Sequence, residues 1–313
     1  MSKVLVTGVA GFIGSYVASR FLREGYSVVG VDDLSSGRKE NLPAGIEFVH
    51  GDLAKANTIK DIPPGCRLIL HLAGQSSGEI SFDDPADDLE KNTVTTLNLI
   101  QYGIKNNIER MVYASSMSVY GSVADEPADE NLVCKPLSCY GVGKYAAENY
   151  LRIYGGKVPF VCLRMFNVYG PGQDMQNLRQ GMVSIFLAQA LATGKIEVKG
   201  STDRFRDFIY IDDVVEAWYR AATRPAAVGR TLNLGTGVRT TVGTLLENIH
   251  KLMPGTTHFV GGMTPGDQSG IFSDSSALRS VLGMTSFTPL SEGLENFVSW
   301  AKSAKGPSNI LAS

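Results

Sequence analysis

The stretch VTGVAGFIGS, residues 6–15, decides how this chain folds. It follows a short β-branched run, KVLV, and leads into the helical pattern FIGSYVASRFLREG. Gly8, Gly11 and Gly14 therefore sit directly after a strand and across the start of a helix. Glycines there let the backbone turn tightly and approach a pyrophosphate, which rests at the positive end of the helix. A glycine triplet alone is weak evidence. Here it has the strand before it, the helix after it, and an acidic residue, Asp32, closing the next apolar run YSVVGVDD. A carboxylate at that position accepts hydrogen bonds from the adenine ribose and repels a 2′-phosphate, so the expected cofactor is NAD rather than NADP. Arg38 is near in sequence and is read as a surface residue. Asp52, in HGDL after the third run, has two readings, an adenine contact or the N-cap of the following helix.

Outward from this turn the chain alternates apolar runs of strand length with helical segments. IEFVHGD, RLILHLAG, RMVYASS and VPFVCLR continue the strands, and DLEKNTVTTLNLIQYGIKNN is a helix. The pattern predicts an α/β fold, a Rossmann-type doubly wound parallel sheet with a smaller C-terminal substrate-binding region. The expected boundaries are residues 1–165 for the NAD-binding domain, with 203–237 returning to it. Residues 166–302 are mainly the substrate-binding region, and 303–313 a loose tail.

With 313 residues, 43% hydrophobic and 19% charged, the composition is that of an ordinary globular chain. A formal charge of −2 and the lack of a basic run argue against nucleic-acid and membrane partners. Cys66, Cys134, Cys139 and Cys162 form no C-x-x-C pair, and His50, His71, His250 and His258 are scattered, so no metal site is expected. The N-terminus opens straight into a strand without an apolar leader, and a cytoplasmic location is expected.

SSMSVYG ends the fifth strand with Ser115 and Ser116, and SCYGVGKYAAE places Tyr140 and Lys144 at i and i+4 on one helix face. A free tyrosine is too weak an acid to act as a base at neutral pH. An ammonium at about 4 Å stabilises its phenolate by roughly 4 kcal/mol, or about 3 pKa units. The expectation is a tyrosine made a general base by its lysine.

Taken together, TGVAGFIG, DDLSSG, HLAGQ, SSMSVYG, YGVGK, LRMFNVYGPGQ, RDFIYIDD and NLGTG cover nearly the whole chain. In this order they resemble the extended short-chain dehydrogenase/reductases of the NAD-dependent epimerase/dehydratase family. The similarity is greatest to nucleotide-sugar epimerases of the UDP-glucose 4-epimerase kind. The resemblance implies Ser116, Tyr140 and Lys144 as the catalytic residues. It extends the cofactor set to Phe12, Ile13, Asp33, Ser36, Gly37, Leu53, Leu72, Ala73, Gly74, Gln75, Asn92, Ser115 and Phe166, with Tyr140 and Lys144 shared. It also implies that Asn167 and Arg206 grip a nucleotide diphosphate, aided by Arg204, and that Lys199 and Asp267 touch substrate. Ser76, Ser77 and Glu79 are candidates to face the sugar.

Some positions depart from the family pattern. Thr264 stands where an arginine is usual, Lys199 where an aromatic ring is usual, Cys139 for a proline and Gly143 for a serine or threonine. Ile271 falls at a position tied to N-acetyl tolerance. Family dehydratases carry an acid/base pair just after the serine. Here those positions are Met117 and Ser118, so elimination of water lacks its proton carrier. By this comparison the expected activity is NAD-dependent 4-epimerisation of a nucleotide sugar, foremost a UDP-sugar, through a transient 4-keto intermediate. A 4-ketosugar reductase or another nucleotide-sugar oxidoreductase or dehydratase is the enzymic alternative. A non-catalytic NAD-binding regulator is the alternative of another class. The family further suggests a homodimer, with Leu97, Ile100, Ala147 and Tyr150 as candidate contacts.

Overall fold

In the computed structural model, residues 2–262 and 269–303 are described. Asp267 and Thr264, and the tail from residue 304, lie outside them.

The runs read as strands form β1 (Lys3–Thr7), β2 (Ser27–Asp32), β3 (Glu47–His50), β4 (Cys66–His71), β5 (Arg110–Ser116) and β6 (Phe160–Met165). Between them lie α1 (Phe12–Arg23), α2 (Ala56–Asp61), α3 (Pro85–Leu89), α4 (Thr95–Asn106) and α5 (Cys139–Tyr154). The second half adds β7 (Asn167–Tyr169), α6 (Met182–Thr193), β8 (Lys195–Val198), β9 (Phe205–Arg206), β10 (Phe208–Tyr210) and α7 (Ile211–Thr223). It continues with β11 (Arg230–Leu234), β12 (Thr240–Thr241), α8 (Val242–Leu252), β13 (Thr257–Val260), α9 (Ser276–Leu282) and α10 (Leu290–Lys302).

Seven strands make one parallel sheet in the order β11-β6-β5-β4-β1-β2-β3. The chain runs outward from β1 to β3, then returns to the other side of β1 with β4. The order in which strands are added thus reverses between β1 and β4, and the crevice at their carboxyl ends is where such sheets bind ligands. Val4 and Val6 of β1, both fully buried, belong to a core under α1 and α7, whereas Leu5 belongs to the opposite core under α4 and α5. That alternation is the two-faced burial a parallel sheet requires.

Of residues 203–237, β11 enters the sheet, while β9 and β10 pair with β12 and β7 outside it. The helix α7 still covers the sheet: Arg20 of α1 bonds Glu216 of α7 at 2.6 Å. The expected long helix after β4 is interrupted. Asp84 caps α3 by accepting from Ala86 N and Asp87 N, and a π-helical turn, Glu90–Val94, joins α3 to α4.

Two of the expected dimer contacts are unavailable. Ile100 is 1% exposed and Ala147 fully buried, both in the core between α4, α5 and the sheet. Leu97 is half-buried, and Tyr150 is exposed together with Val142, Ile153 and Tyr154 on the outer face of α5. On α5 the inner apolar stripe belongs to the chain's own core, and a second one faces outward.

Candidate active site

The glycine turn leaves no space for side chains. Gly8 has φ +67°, and a Cβ there would lie 2.7 Å from Ala73 N. A Cβ on Gly14 would lie 1.9 Å from Gly8 O, so α1 packs directly on the turn. Beside the turn opens a cleft of about 410 Å³. Gly8, Gly11, Phe12, Ile13 and Gly14 line it, as do Asp32, Asp33, Ser36 and Gly37, then Asp52 and Leu53, and the run Leu72 to Gln75. Asp32 is 7% exposed and its carboxylate accepts from Ala10 N at 2.9 Å and Leu34 N at 2.8 Å. Burial pushes its pKa up and those two N–H groups pull it back. Arg38 donates to Asp174 and Gln176, each at 2.9 Å, so its guanidinium is engaged away from Asp32.

Asp52 does not cap α2, whose N-cap is Lys55; it accepts from Ala54 N at 2.8 Å in the preceding turn and lines the cleft. Three expected cofactor residues lie off this cleft. Asn92 is 1% exposed behind the wall, and its Oδ1, without a hydrogen-bond partner, would be 2.5 Å from a Cβ on Gly74. Ser115 and Phe166 line the neighbouring cleft instead. Strand alternation separates Ser115 from Ser116: the Ser115 hydroxyl donates to Glu148, which Arg164 holds bidentately at 2.9 and 2.8 Å. The tight glycine turn and the carboxylate at the end of β2, both on this cleft, fit a dinucleotide.

The second cleft, of about 670 Å³, meets the first at Tyr140, which lines both. Ser138 caps α5 by accepting from Gly141 N at 3.1 Å, which puts Tyr140 in the first turn and Lys144 one turn on. Tyr140 is 8% and Lys144 3% exposed, and the Lys144 ammonium lies 5.6 Å from the Tyr140 ring centre and 5.1 Å from that of Tyr113. Ser116 ends β5, accepts from Ser118 N at 3.2 Å and hydrogen-bonds Tyr140. The expected acidification of Tyr140 is reversed. Burial pushes its pKa up to about 12, with the Ser116 bond pulling it down. Burial also pulls Lys144 down to about 8, opposed by Asp88. An ion–phenolate attraction is smaller than the cost of removing the phenolate from water.

Ser76, Ser77, Ser116, Asn167, Lys199 and Arg206 all line the second cleft, alongside Met117, Ser118 and Arg204. Asn167 Oδ1 is buried without a hydrogen-bond partner, and Arg206, 3% exposed, donates to Phe205 O at 2.7 Å. Ser77 is buried and donates to Arg179 O at 3.1 Å. Glu79 lines the cleft but is ion-paired with Arg179 at 3.1 Å. Ile271 is buried against Phe166, Val119 and Tyr120, and neither it nor Cys139 lines either of these two clefts. Sequence reading missed the segment after GPG. Gln173 and Gln180 line both clefts, Gln180 donates to Ser76 Oγ at 2.8 Å, and Arg179 bonds Asp83 at 2.6 Å. The Gly-Pro-Gly turn was the signal for it.

The sequence pattern of the NAD dependent epimerase/dehydratase family matches residues 4–235. The chain is 36% identical to a UDP-glucose 4-epimerase of Mycolicibacterium smegmatis, over 95% of this chain and 97% of that one. It resembles a crystal structure of UDP-glucose 4-epimerase with UDP-glucose from Thermotoga maritima, with a TM-score of 0.91, 32% identity and coverage of 95% and 98%. A Thermus thermophilus UDP-glucose 4-epimerase complex with NAD gives a TM-score of 0.88 at 31% identity, with coverage of 96% and 99%. With its glycine turn, its acidic residue at the end of β2 and its serine–tyrosine–lysine set all in the matched region, the chain belongs to the NAD dependent epimerase/dehydratase family.

Proposed function

We propose that this chain is an NAD-dependent nucleotide-sugar 4-epimerase that takes UDP-sugars and acts through a transient 4-keto intermediate. The observation that carries the reading is the meeting of the two clefts at Tyr140, with Ser116 and Lys144 beside it. Bound NAD supplies a hydride acceptor at sugar C4, and on return the donor. Tyr140 takes the C4 hydroxyl proton and later gives it back. Ser116 hydrogen-bonds the same oxygen, and the Lys144 ammonium stabilises the phenolate as it forms. In the protein alone burial keeps Tyr140 protonated, so the base appears once positive charge gathers around it.

Asn167 and Arg206 hold the diphosphate at the far side of the second cleft. With the nucleotide anchored, the ketosugar turns over in the wide cleft and presents its other face. Met117 and Ser118 offer no carboxylate for elimination, and Glu79 is tied to Arg179. The similarity to UDP-glucose 4-epimerases over nearly the whole chain supports the same reading. Among the described residues no helix is long and apolar enough to cross a membrane, and we place the enzyme in the cytoplasm. The exposed row Val142, Tyr150, Ile153 and Tyr154 on α5 is the face through which it forms a homodimer. The test is purified protein with UDP-galactose or UDP-glucose and no added NAD. Interconversion of the two is expected, together with NAD released on denaturation. Neither epimer forming from the other, in protein that carries NAD, would defeat the proposal.

A further inference from the structure

Two runs far apart in the sequence, RDFIYIDD and NLGTG, meet at a buried carboxylate that the proposed mechanism leaves without a role. Asp207, the single residue between β9 and β10, is fully buried. Its Oδ1 accepts from the N–H and the hydroxyl of Thr236 at 2.9 and 2.6 Å. Its Oδ2 accepts from Gly237 N at 3.0 Å, Ser273 N at 3.1 Å and Ser273 Oγ at 2.6 Å. All five donors are neutral, and the three backbone N–H groups cannot turn away. The Thr236 oxygen itself accepts from Val238 N at 3.1 Å, which leaves its proton for Asp207. A Cβ on Gly235 would lie 2.5 Å from Asp207 Oδ2, so the turn comes this close only as glycine.

Asp207 and Arg206 are adjacent, and extended backbone sends them to opposite sides. Arg206 lines the second cleft, whereas Asp207 does not. The turn that grips Asp207 runs on into β12, whose Thr240 is the register partner of Arg206. On the other flank Asp207 O accepts from Asn167 N at 3.0 Å, at the start of β7. We infer that Asp207 is a positioning residue for the diphosphate grip: its carboxylate clasps the turn between β11 and β12 and so fixes the strand from which Arg206 reaches the cleft. That Arg206 belongs to the grip is the reading proposed above. The charge of Asp207 does nothing for an anionic ligand, since like charges repel. What it contributes is geometry: a carboxylate filled by five donors holds one place, and losing it leaves buried N–H groups unpaired.

The test is the binding of UDP, measured by isothermal titration calorimetry on protein that carries NAD, and it needs no turnover. Asp207→Asn keeps the shape but sets an amide NH2 against backbone N–H donors whichever way it is turned. Removing the charge alone would tighten UDP, whereas loss of the clasp should weaken it about tenfold. In chains that also carry Arg206→Ala the same change should cost no more than about twofold, because Asp207 acts through Arg206. Thr236→Val combined with Ser273→Ala removes only the two hydroxyl donors. It should weaken UDP about threefold with the same dependence on Arg206, and it decides the matter where Asp207→Asn does not fold. UDP held by these variants as tightly as by the natural chain would overturn the inference. So would an equal loss with and without Arg206, which is what a merely structural Asp207 gives. A natural chain that binds UDP but does not interconvert UDP-glucose and UDP-galactose would count against the proposed function alone.

Discussion

Replacing Lys144 with methionine removes the ammonium while keeping a chain of similar length. At 5.6 Å and an effective dielectric near 20, the lost attraction for a phenolate on Tyr140 is roughly 3 kcal/mol. At about 1.4 kcal/mol per decade, kcat at pH 7 should fall about 100-fold. The sign of the pH effect follows. Without the cation Tyr140 holds its proton more tightly, so the acid limb of kcat moves to higher pH by about two units. Activity lost at pH 7 is therefore partly recovered at pH 9, a recovery a damaged fold would not give. The assay is epimerisation of UDP-galactose followed by NMR from pH 6 to 10, with the NAD content of each preparation measured. A loss below about fivefold with an unmoved acid limb would refute the coupling of Lys144 to Tyr140.

The same variant carries a stability prediction of opposite direction. Lys144 is buried with its pKa lowered to about 8, so the ammonium costs folded-state stability below pH 8, and that cost vanishes as pH rises toward the unfolded value near 10.5. Lys144→Met should therefore raise Tm at pH 7, by a margin that shrinks between pH 8 and 10.5 in thermal melts. Gly14→Ala places a Cβ 1.9 Å from Gly8 O, and should abolish NAD retention, read by absorbance of the denatured supernatant, while lowering Tm. Ile153→Glu puts a charge on the exposed apolar face of α5, where Ile153 is 69% exposed, and should give a monomer by light scattering in place of the proposed dimer.

What could be read from the sequence was what depends on near neighbours in the chain. Gly8, Gly11 and Gly14 turn between β1 and α1 because strand, turn and helix are contiguous, and Asp32 follows from the end of β2. Tyr140 and Lys144 meet because the cap at Ser138 fixes the helix that carries both. Other features depend on contacts distant in sequence. Arg179 reaches Asp83 across 96 positions, and no local pattern announces that bridge. Ile100 and Ala147 were apolar at helical spacing, but spacing does not tell a stripe facing the chain's own sheet from one facing a partner. The lysine–tyrosine pairing was legible, whereas the net direction of the Tyr140 shift was not, because burial of Tyr140 is a property of the finished fold. Ser115 and Ser116 are adjacent letters that the pleat sends to different partners.

Hydride return within one bound sugar is the centre of this account, and UDP-glucose deuterated at C4 tests it most directly. The enzyme, with no NAD added, should yield UDP-galactose that keeps its deuterium at C4, with none appearing at C3 or C5 when unlabelled substrate is run in D2O. Loss of the label to solvent, or deuterium entering from D2O at C3 or C5, would contradict it.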